Sequence, residues 1–216
     1  MIEFDTVTKI YNVKNVRKVI LDEASFVFES GKNIAIMGHN GAGKSTVMRL
    51  MAGIELPTTG VVTRDEKVSW PLGFTSGFNG IMTGIENVRF VARIYGEDTE
   101  RVLADVQDFA ELGKSIDLPI STYSSGMKAR LAFGLSLAIN FDCYLIDEIT
   151  VVGDLKFKKK SASALRNKVR DARVIMISHS ETAIRDYCDS GVLVYQSKLY
   201  YYDSIDGIIA DYRKFC

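Results

Sequence analysis

Apolar and polar residues alternate from Ile2 to Thr8, which predicts a half-exposed strand. A second strand is expected from Val19 to Glu29, where Ser25-Phe26-Val27-Phe28 runs into a Ser30-Gly31 turn. Asn33-Ile34-Ala35-Ile36-Met37 reads as a short buried strand, and Ser45 to Gly53 as a helix. Pro57-Thr58-Thr59-Gly60 is a turn, followed by strand material at Val61-Val62 and Val68 to Trp70. The pattern then changes. Pro71 to Gly84 carries glycines at 73, 77, 80 and 84 with Phe74 and Phe78 between them, a loop composition; Ile85 to Tyr95 and Thr99 to Leu112 show helical spacing with charged outer faces. Ser124 or Ser125 is suited to cap a helix running to about Ile139. Cys143-Tyr144-Leu145-Ile146 is a buried strand closing on Asp147-Glu148, and Val174 to Ile177 is another, with His179 just past its end. Helices at Lys156 to Asp171, Glu181 to Cys188 and Ile205 to Phe215, and a hairpin from Val192 to Tyr202, complete the chain. Strands alternating with helices imply an α/β fold with a largely parallel sheet and N-terminal strands ahead of it. The helical run at about 84–140 interrupts that alternation as a lobe inserted into a single domain, residues 1–216.

Composition narrows the function classes. The 216 residues carry 27 basic and 27 acidic side chains, so no global field points to nucleic acid or to a polybasic membrane anchor. Cys143, Cys188 and Cys216 are too widely spaced for a metal pattern or a disulfide frame, which fits a reduced cytosol. The longest apolar run, near Leu131 to Ile139, is about half the ~20 residues a membrane span needs. No signal peptide is read at Met1 to Asp5, so work at a membrane is expected from the cytosolic side, through a partner.

The candidate chemistry begins at Gly38-His39-Asn40-Gly41-Ala42-Gly43-Lys44-Ser45-Thr46, which fills the phosphate-loop pattern G-x-x-x-x-G-K-[ST] between a strand and a helix. The glycines allow backbone N–H groups to converge on phosphate oxygens, Lys44 adds a point charge, and Ser45 offers a hydroxyl to Mg²⁺. The helix N-terminus faces the anion. A dinucleotide-binding reading of Gly41-x-Gly43 fails at Thr46, where a third glycine is required. Asp147, at a strand end, can hold Mg²⁺, and Glu148 can orient and polarise the water that attacks the γ-phosphate. The alternative for both is an exposed acidic turn. His179, one of two histidines, follows a strand expected beside that of Asp147, from which it could reach the γ-phosphate; a lone histidine is more often structural. His39 is expected to contribute its backbone N–H rather than its ring.

In this order, the loop, the Ser-Ser-Gly helix cap, the Asp-Glu strand end, Asp154 and His179 resemble the nucleotide-binding subunit of ABC transporters over nearly the whole chain. The resemblance implies a phosphate-loop NTPase core with an inserted helical subdomain, ATP as substrate and Mg²⁺ as cofactor. It gives Tyr11 the adenine-stacking position, Gly38 to Thr46 the Walker A loop, Ser45 and Asp147 the metal, and Glu148 and His179 the catalytic glutamate and switch histidine. Tyr123-Ser124-Ser125-Gly126-Met127 stands at the signature, where Ser124, Ser125 and Gly126 would cap ATP held by a second copy in a homodimer, and Asp154 at the D-loop. An integral membrane permease is the implied partner.

Departures from the common pattern are equally informative. Ser125 replaces a signature glycine, Met127 its glutamine, and Ile149 the proline after Asp-Glu. The only glutamines are Gln107 and Gln196, so the glutamine expected in the loop before Gly84 is missing, with Ser76 or Asn79 as stand-ins. Trp70-Pro71-Leu72-Gly73, Met82-Thr83-Gly84-Ile85-Glu86-Asn87 and Val152-Gly153-Asp154 followed by Phe157-Lys158-Lys159-Lys160 resemble the polysaccharide-exporting branch, and within it the ATP-binding subunit of bacterial capsular polysaccharide exporters. Relatives exporting O-antigen or teichoic acid often carry a C-terminal extension, which is not expected here. A peripheral place on the cytoplasmic face of the inner membrane follows from the resemblance. The competing classes are a soluble ATPase acting on DNA or ribosomes, against which the zero net charge stands, and a small-molecule kinase, against which the Asp147-Glu148 pair and the Ser-Ser-Gly cap stand. The basic run at Lys156 to Lys160 reads as a solvated helix face.

Overall fold

The computed structural model describes residues 1–13, 16–147, 155–170 and 172–215. Contacts divide the chain into two compact units, one formed by Met1–Pro71, Phe141–Glu148 and Ala172–Cys216, the other by Leu72–Asn140 and Ile149–Asp171.

The first unit holds two sheets. Strands β1 (Ile2–Val13), β2 (Val16–Phe28) and β4 (Thr59–Arg64) form an antiparallel sheet with β1 in the middle. β2 begins three residues before the expected Val19, because the hairpin pairs Val13 with Val16 in a polar, exposed stretch that shows no alternation. β4 starts inside the expected turn. Its register with β1 shifts between Asp5 and Thr8, and Gly60 sits at that shift with φ 82°, where a Cβ would lie 2.3 Å from the Thr6 carbonyl oxygen. Only glycine fits there.

The second sheet runs β5-β6-β3-β7-β8, made of β3 (Ile34–Met37), β5 (Cys143–Asp147), β6 (Arg173–Ile177), β7 (Ser190–Tyr195) and β8 (Lys198–Tyr202). The first four are parallel, and β8 turns back antiparallel as the expected hairpin. β3 and β6 are buried along their whole length, which is why they read as unbroken apolar runs. The expected strand at Val68 to Trp70 is a single bridge from Val68 to Cys143. Helix α1 (Lys44–Ala52) buries Val47, Met48, Leu50 and Met51 in one core with Phe4, Leu21, Phe28, Ile36, Leu145 and Ile175 from both sheets. Arg173 enters this region buried, donating to the carbonyls of Lys32 and Phe28 and pairing with Glu66 at 2.5 Å, so its charge is neutralised and its donors are occupied. Cys143 and Cys188 are buried thiols, each pushed up to about 12 by that burial. Helices α6 (Glu181–Tyr187) and α7 (Ile205–Phe215) complete the unit.

The second unit is helical: α2 (Gly84–Ile94), α3 (Thr99–Ala110), α4 (Ser125–Ala138) and α5 (Leu155–Lys168). Thr83 and Glu86 cap α2 reciprocally, and Asp98 caps α3. α4 buries Leu131, Ala132, Phe133, Gly134 and Leu135 in succession, all around its axis, as a helix enclosed by others does. α5 belongs with these helices rather than with the strands that flank it in sequence: Phe157 packs edge-on to Phe109, Arg130 lies 4.4 Å from the Phe157 ring centre, and Lys160 bonds the Asp108 and Phe109 carbonyls and Glu111. The lobe therefore extends beyond residues 84–140 on both sides.

Candidate active site

Parallel pairing sets the site. β3 lies between β6 and β7, and β6 lies between β3 and β5, so the carboxyl ends of β3, β5 and β6 open side by side. Open sheets bind ligands at such an edge, where the crossovers diverge. A cleft of about 340 Å³ is found there, lined by Tyr11, Asn40, Gly41, Gly43, Lys44, Ser45, Thr46, Asp147 and His179. Gly38, His39 and Ala42 belong to the same loop, between β3 and α1.

The loop's shape is imposed by contacts that exclude side chains. A Cβ on Gly38 would lie 2.5 Å from the Val194 carbonyl oxygen, and one on Gly43 would lie 2.3 Å from Ile20 Cγ2; both residues have positive φ, 150° and 105°. Gly43 ends the loop at the first residue before α1, and no acid stands in that helix's first turn to compete for an anion. The Lys44 ammonium donates to the carbonyls of Gly38 at 2.7 Å and His39 at 3.1 Å, folding back across the loop. The His39 ring is exposed, its Nδ1 2.9 Å from the Asn40 carbonyl oxygen. Ser45 is half-buried on the cleft wall, and Asp147 is the one half-buried residue of an otherwise buried β5. His179 follows β6 by two residues and lines the same cleft.

Tyr11 reaches the cleft from β1 and is held by a charged network. Its hydroxyl donates to Glu55 Oε1 at 2.5 Å; Arg49 donates to the Tyr11 oxygen, to Thr46 Oγ1 at 3.1 Å and to Glu55 Oε2 at 3.0 Å; and Lys9 pairs with Glu55 at 2.8 Å. Burial raises the Glu55 carboxyl, but the hydrogen bonds from Lys9, Tyr11 and Arg49 outweigh it and hold the group at about 2. The network ties the β1 aromatic to the helix that carries the phosphate loop.

The remaining expected residues lie elsewhere. Ser124, Ser125 and Gly126 open α4 in the second unit: the Ser124 hydroxyl accepts the Met127 N–H at 3.2 Å, Ser124 and Ser125 are exposed, and Gly126 is half-buried. Tyr123 before them is buried and donates to the Ser115 carbonyl at 2.8 Å. Glu148 and Asp154 lie outside the described residues, as does the Ile149 to Gly153 stretch between them. Asn79, a candidate stand-in for the missing glutamine, spends its side-chain oxygen on the Ile81 N–H, and its backbone N–H on the buried Asn87. Phe74 and Phe78 are half-buried. Among the described residues no cluster of three His, Cys, Asp or Glu is placed to hold a metal, and no helix is long and apolar enough to cross a membrane.

The cleft also contains what the sequence did not flag. Lys18 and Ile20 enter it from β2, and Ile177 from β6. Glu55 and Arg49, which anchor Tyr11, were likewise not singled out; their only sequence signal is a mixed-charge pair around the end of α1.

The sequence profile of the ABC transporter family matches residues 21–151. The chain belongs to the ABC transporter family. This ABC protein is 49% identical over 221 residues to the polysialic acid transport ATP-binding protein KpsT of Escherichia coli, an alignment covering 99% of each chain. It is 45% identical over 206 residues to the capsule polysaccharide export ATP-binding protein CtrD of Neisseria meningitidis serogroup B, covering 95% of each. Among solved structures it resembles a dimeric ATP-binding cassette in a post-hydrolysis state bound to ADP and Pi, at 21% identity and a TM-score of 0.71, covering 95% of this chain and 99% of that one. The last likeness speaks to fold: the α/β core with its antiparallel N-terminal sheet and helical insertion is the ABC ATPase fold.

Proposed function

We propose that this chain is the ATP-hydrolysing subunit of a transporter that exports a capsular polysaccharide across the bacterial inner membrane, acting at its cytoplasmic face. The observation that carries the reading is the convergence of Lys44, Ser45, Asp147 and His179 in one cleft beside a loop whose Gly38 and Gly43 admit no side chain, in a chain similar end to end to capsule-export ATP-binding proteins.

The residues divide the work as follows. Backbone N–H groups of the loop and of the first turn of α1 bind the β and γ phosphates, with Lys44 released from its two carbonyl partners to the phosphate oxygens. The hydroxyl of Ser45 and the carboxylate of Asp147 are hard oxygen donors lining the same cleft, a donor set that suits Mg²⁺, which would neutralise phosphate charge when bound. Tyr11, fixed through Glu55 and Arg49, offers a ring to the base. Glu148 orients the attacking water, and His179 contacts the γ-phosphate end.

Two copies then complete each other's sites. The exposed N-terminus of α4 presents backbone N–H groups at Ser125 and Gly126, and no acidic residue stands in its first turn. In trans it would compensate γ-phosphate charge, and hydrolysis would remove that bridge and let the pair separate. By the family resemblance, Asp154 would serve as the D-loop aspartate. The permease contact is expected on the second unit, where Ile81, Phe90 and Ile94 are 88%, 54% and 62% exposed.

The test is Glu148→Gln with MgATP. The expected result is loss of turnover and accumulation of a dimer on gel filtration; a variant that stays monomeric with ATP and hydrolyses at the parent rate would overturn the two-copy mechanism.

A further inference from the structure

From the cleft geometry we infer that Lys18 is a further nucleotide-binding residue, a second ammonium that engages the polyphosphate from the side of the loop opposite α1. The inference rests on the ATP-binding reading above and adds a residue that neither the phosphate-loop pattern nor the family's motifs mark.

Three observations converge on it. Lys18 lines the same cleft as the loop, and its ammonium nitrogen lies 3.7 Å from the position a Cβ on Gly41 would take, so the charge sits beside the loop. Register places Lys18 opposite Tyr11 across the β1–β2 hairpin. Cross-strand neighbours share a face, so the two strands deliver an aromatic ring and a cation to the same side of the cleft. Finally, among the described residues the Lys18 ammonium makes no hydrogen bond or ion pair, although its neighbours in the hairpin and loop do: Lys9 is paired with Glu55, and Lys44 bonds two carbonyls. Three donors on an unpaired ammonium beside a loop built to expose N–H groups leave a local excess of positive charge and donors. An anion in the cleft would answer both.

The ligand class follows from the division of labour. The loop's amides approach phosphates from beneath, and Lys18 approaches from above, so the polyphosphate would lie between them while Tyr11 meets the base. Because Lys18 is exposed, its contribution should be electrostatic and salt-sensitive, and should scale with phosphate charge rather than with recognition of the base. Bound equally in ground and transition states, it should change KM more than kcat.

The experiment compares the full-length parent, Lys18→Met, Lys18→Arg and Lys44→Ala by titration with a fluorescent ATP analogue and with unlabelled MgATP, MgADP and adenosine, at about 50 mM and about 300 mM salt. Lys18→Met keeps the apolar stem and the strand, so folding is preserved, and a thermal melt checks this. The expected result is a roughly threefold to tenfold weaker affinity for MgATP at low salt, a smaller difference at high salt, recovery in Lys18→Arg, and no change for adenosine. Steady-state turnover should show the loss in KM. Equal MgATP affinity of Lys18→Met and the parent at both salt concentrations, with Lys44→Ala weakened, would overturn the role of Lys18 alone. A parent chain that binds no ATP would overturn the site reading, and this inference with it.

Discussion

Gly43 and Gly38 fix the phosphate loop by what they lack. At Gly43 any side chain meets Ile20 at 2.3 Å in a backbone conformation, φ 105°, that L residues rarely adopt. Gly43→Ala should therefore abolish measurable ATP binding while leaving most of the helical signal by circular dichroism, because the clash is confined to the loop and to the Ile20 side chain. Glu55 provides a second test. Its carboxyl is held at about 2, against an unfolded value of ~4.3, so its contribution to stability is fully present above ~4.3 and is lost as pH falls toward 2. Thermal melts of the parent and Glu55→Gln should differ at pH 6 to 7 and converge as the solution is acidified to about pH 2. Glu55→Gln should also weaken ATP binding by loosening Tyr11. The loop itself was legible in sequence because each of its positions has a separate physical reason to be what it is. Lys18 was not, because its role depends on which residue of β1 it faces, and the hairpin register is set by a polar stretch without alternation.

Elements with a buried face were read closely: β3, β5 and β6 differ from expectation by a residue at most, and α7 not at all. The errors fall where burial gives no period. β2 is exposed over its first four residues, and β4 buries none of its six. The grouping of α5 with α2 to α4 could not be read either, since it depends on Phe157 meeting Phe109 and Arg130 across long sequence separations. Gly84, the first residue of α2, offers a test at this scale. A Cβ there would come within 2.5 Å of the Tyr123 hydroxyl and 2.9 Å of the Ile116 carbonyl oxygen, so the helix start, the buried Tyr123 and the turn before α4 are packed against one hydrogen-sized gap. Gly84→Ala should destabilise the helical unit by about 1–3 kcal/mol, read as a lower urea midpoint, and shift the exposed Ser124-Ser125 end of α4 with it.

For the whole molecule, neutral charge and the exposed apolar residues of α2 point to a protein contact rather than to a nucleic acid or a lipid surface. Phe90 and Ile94 stand one turn apart on α2, so Phe90→Asp with Ile94→Asp places two charges on the same face. The double variant should hydrolyse ATP as the isolated subunit does, yet fail to co-purify with a multi-span membrane protein from solubilised membranes; undiminished co-purification would move the permease contact elsewhere.

The position of β3 has a consequence for the order in which this protein becomes functional. Both sheet neighbours of β3, residues 173–177 and 190–195, are synthesised long after it, and Gly38 rests on the carbonyl of Val194. Pairings this distant in sequence form late and slowly. A nascent chain thus carries the complete glycine motif from residue 46 onward but lacks the strands that hold it in shape until β7 has left the ribosome. Nucleotide capture should coincide with completion of the sheet, so ATP in the cell would reward only finished chains, and a product cut short before Val194 would display the motif and bind nothing.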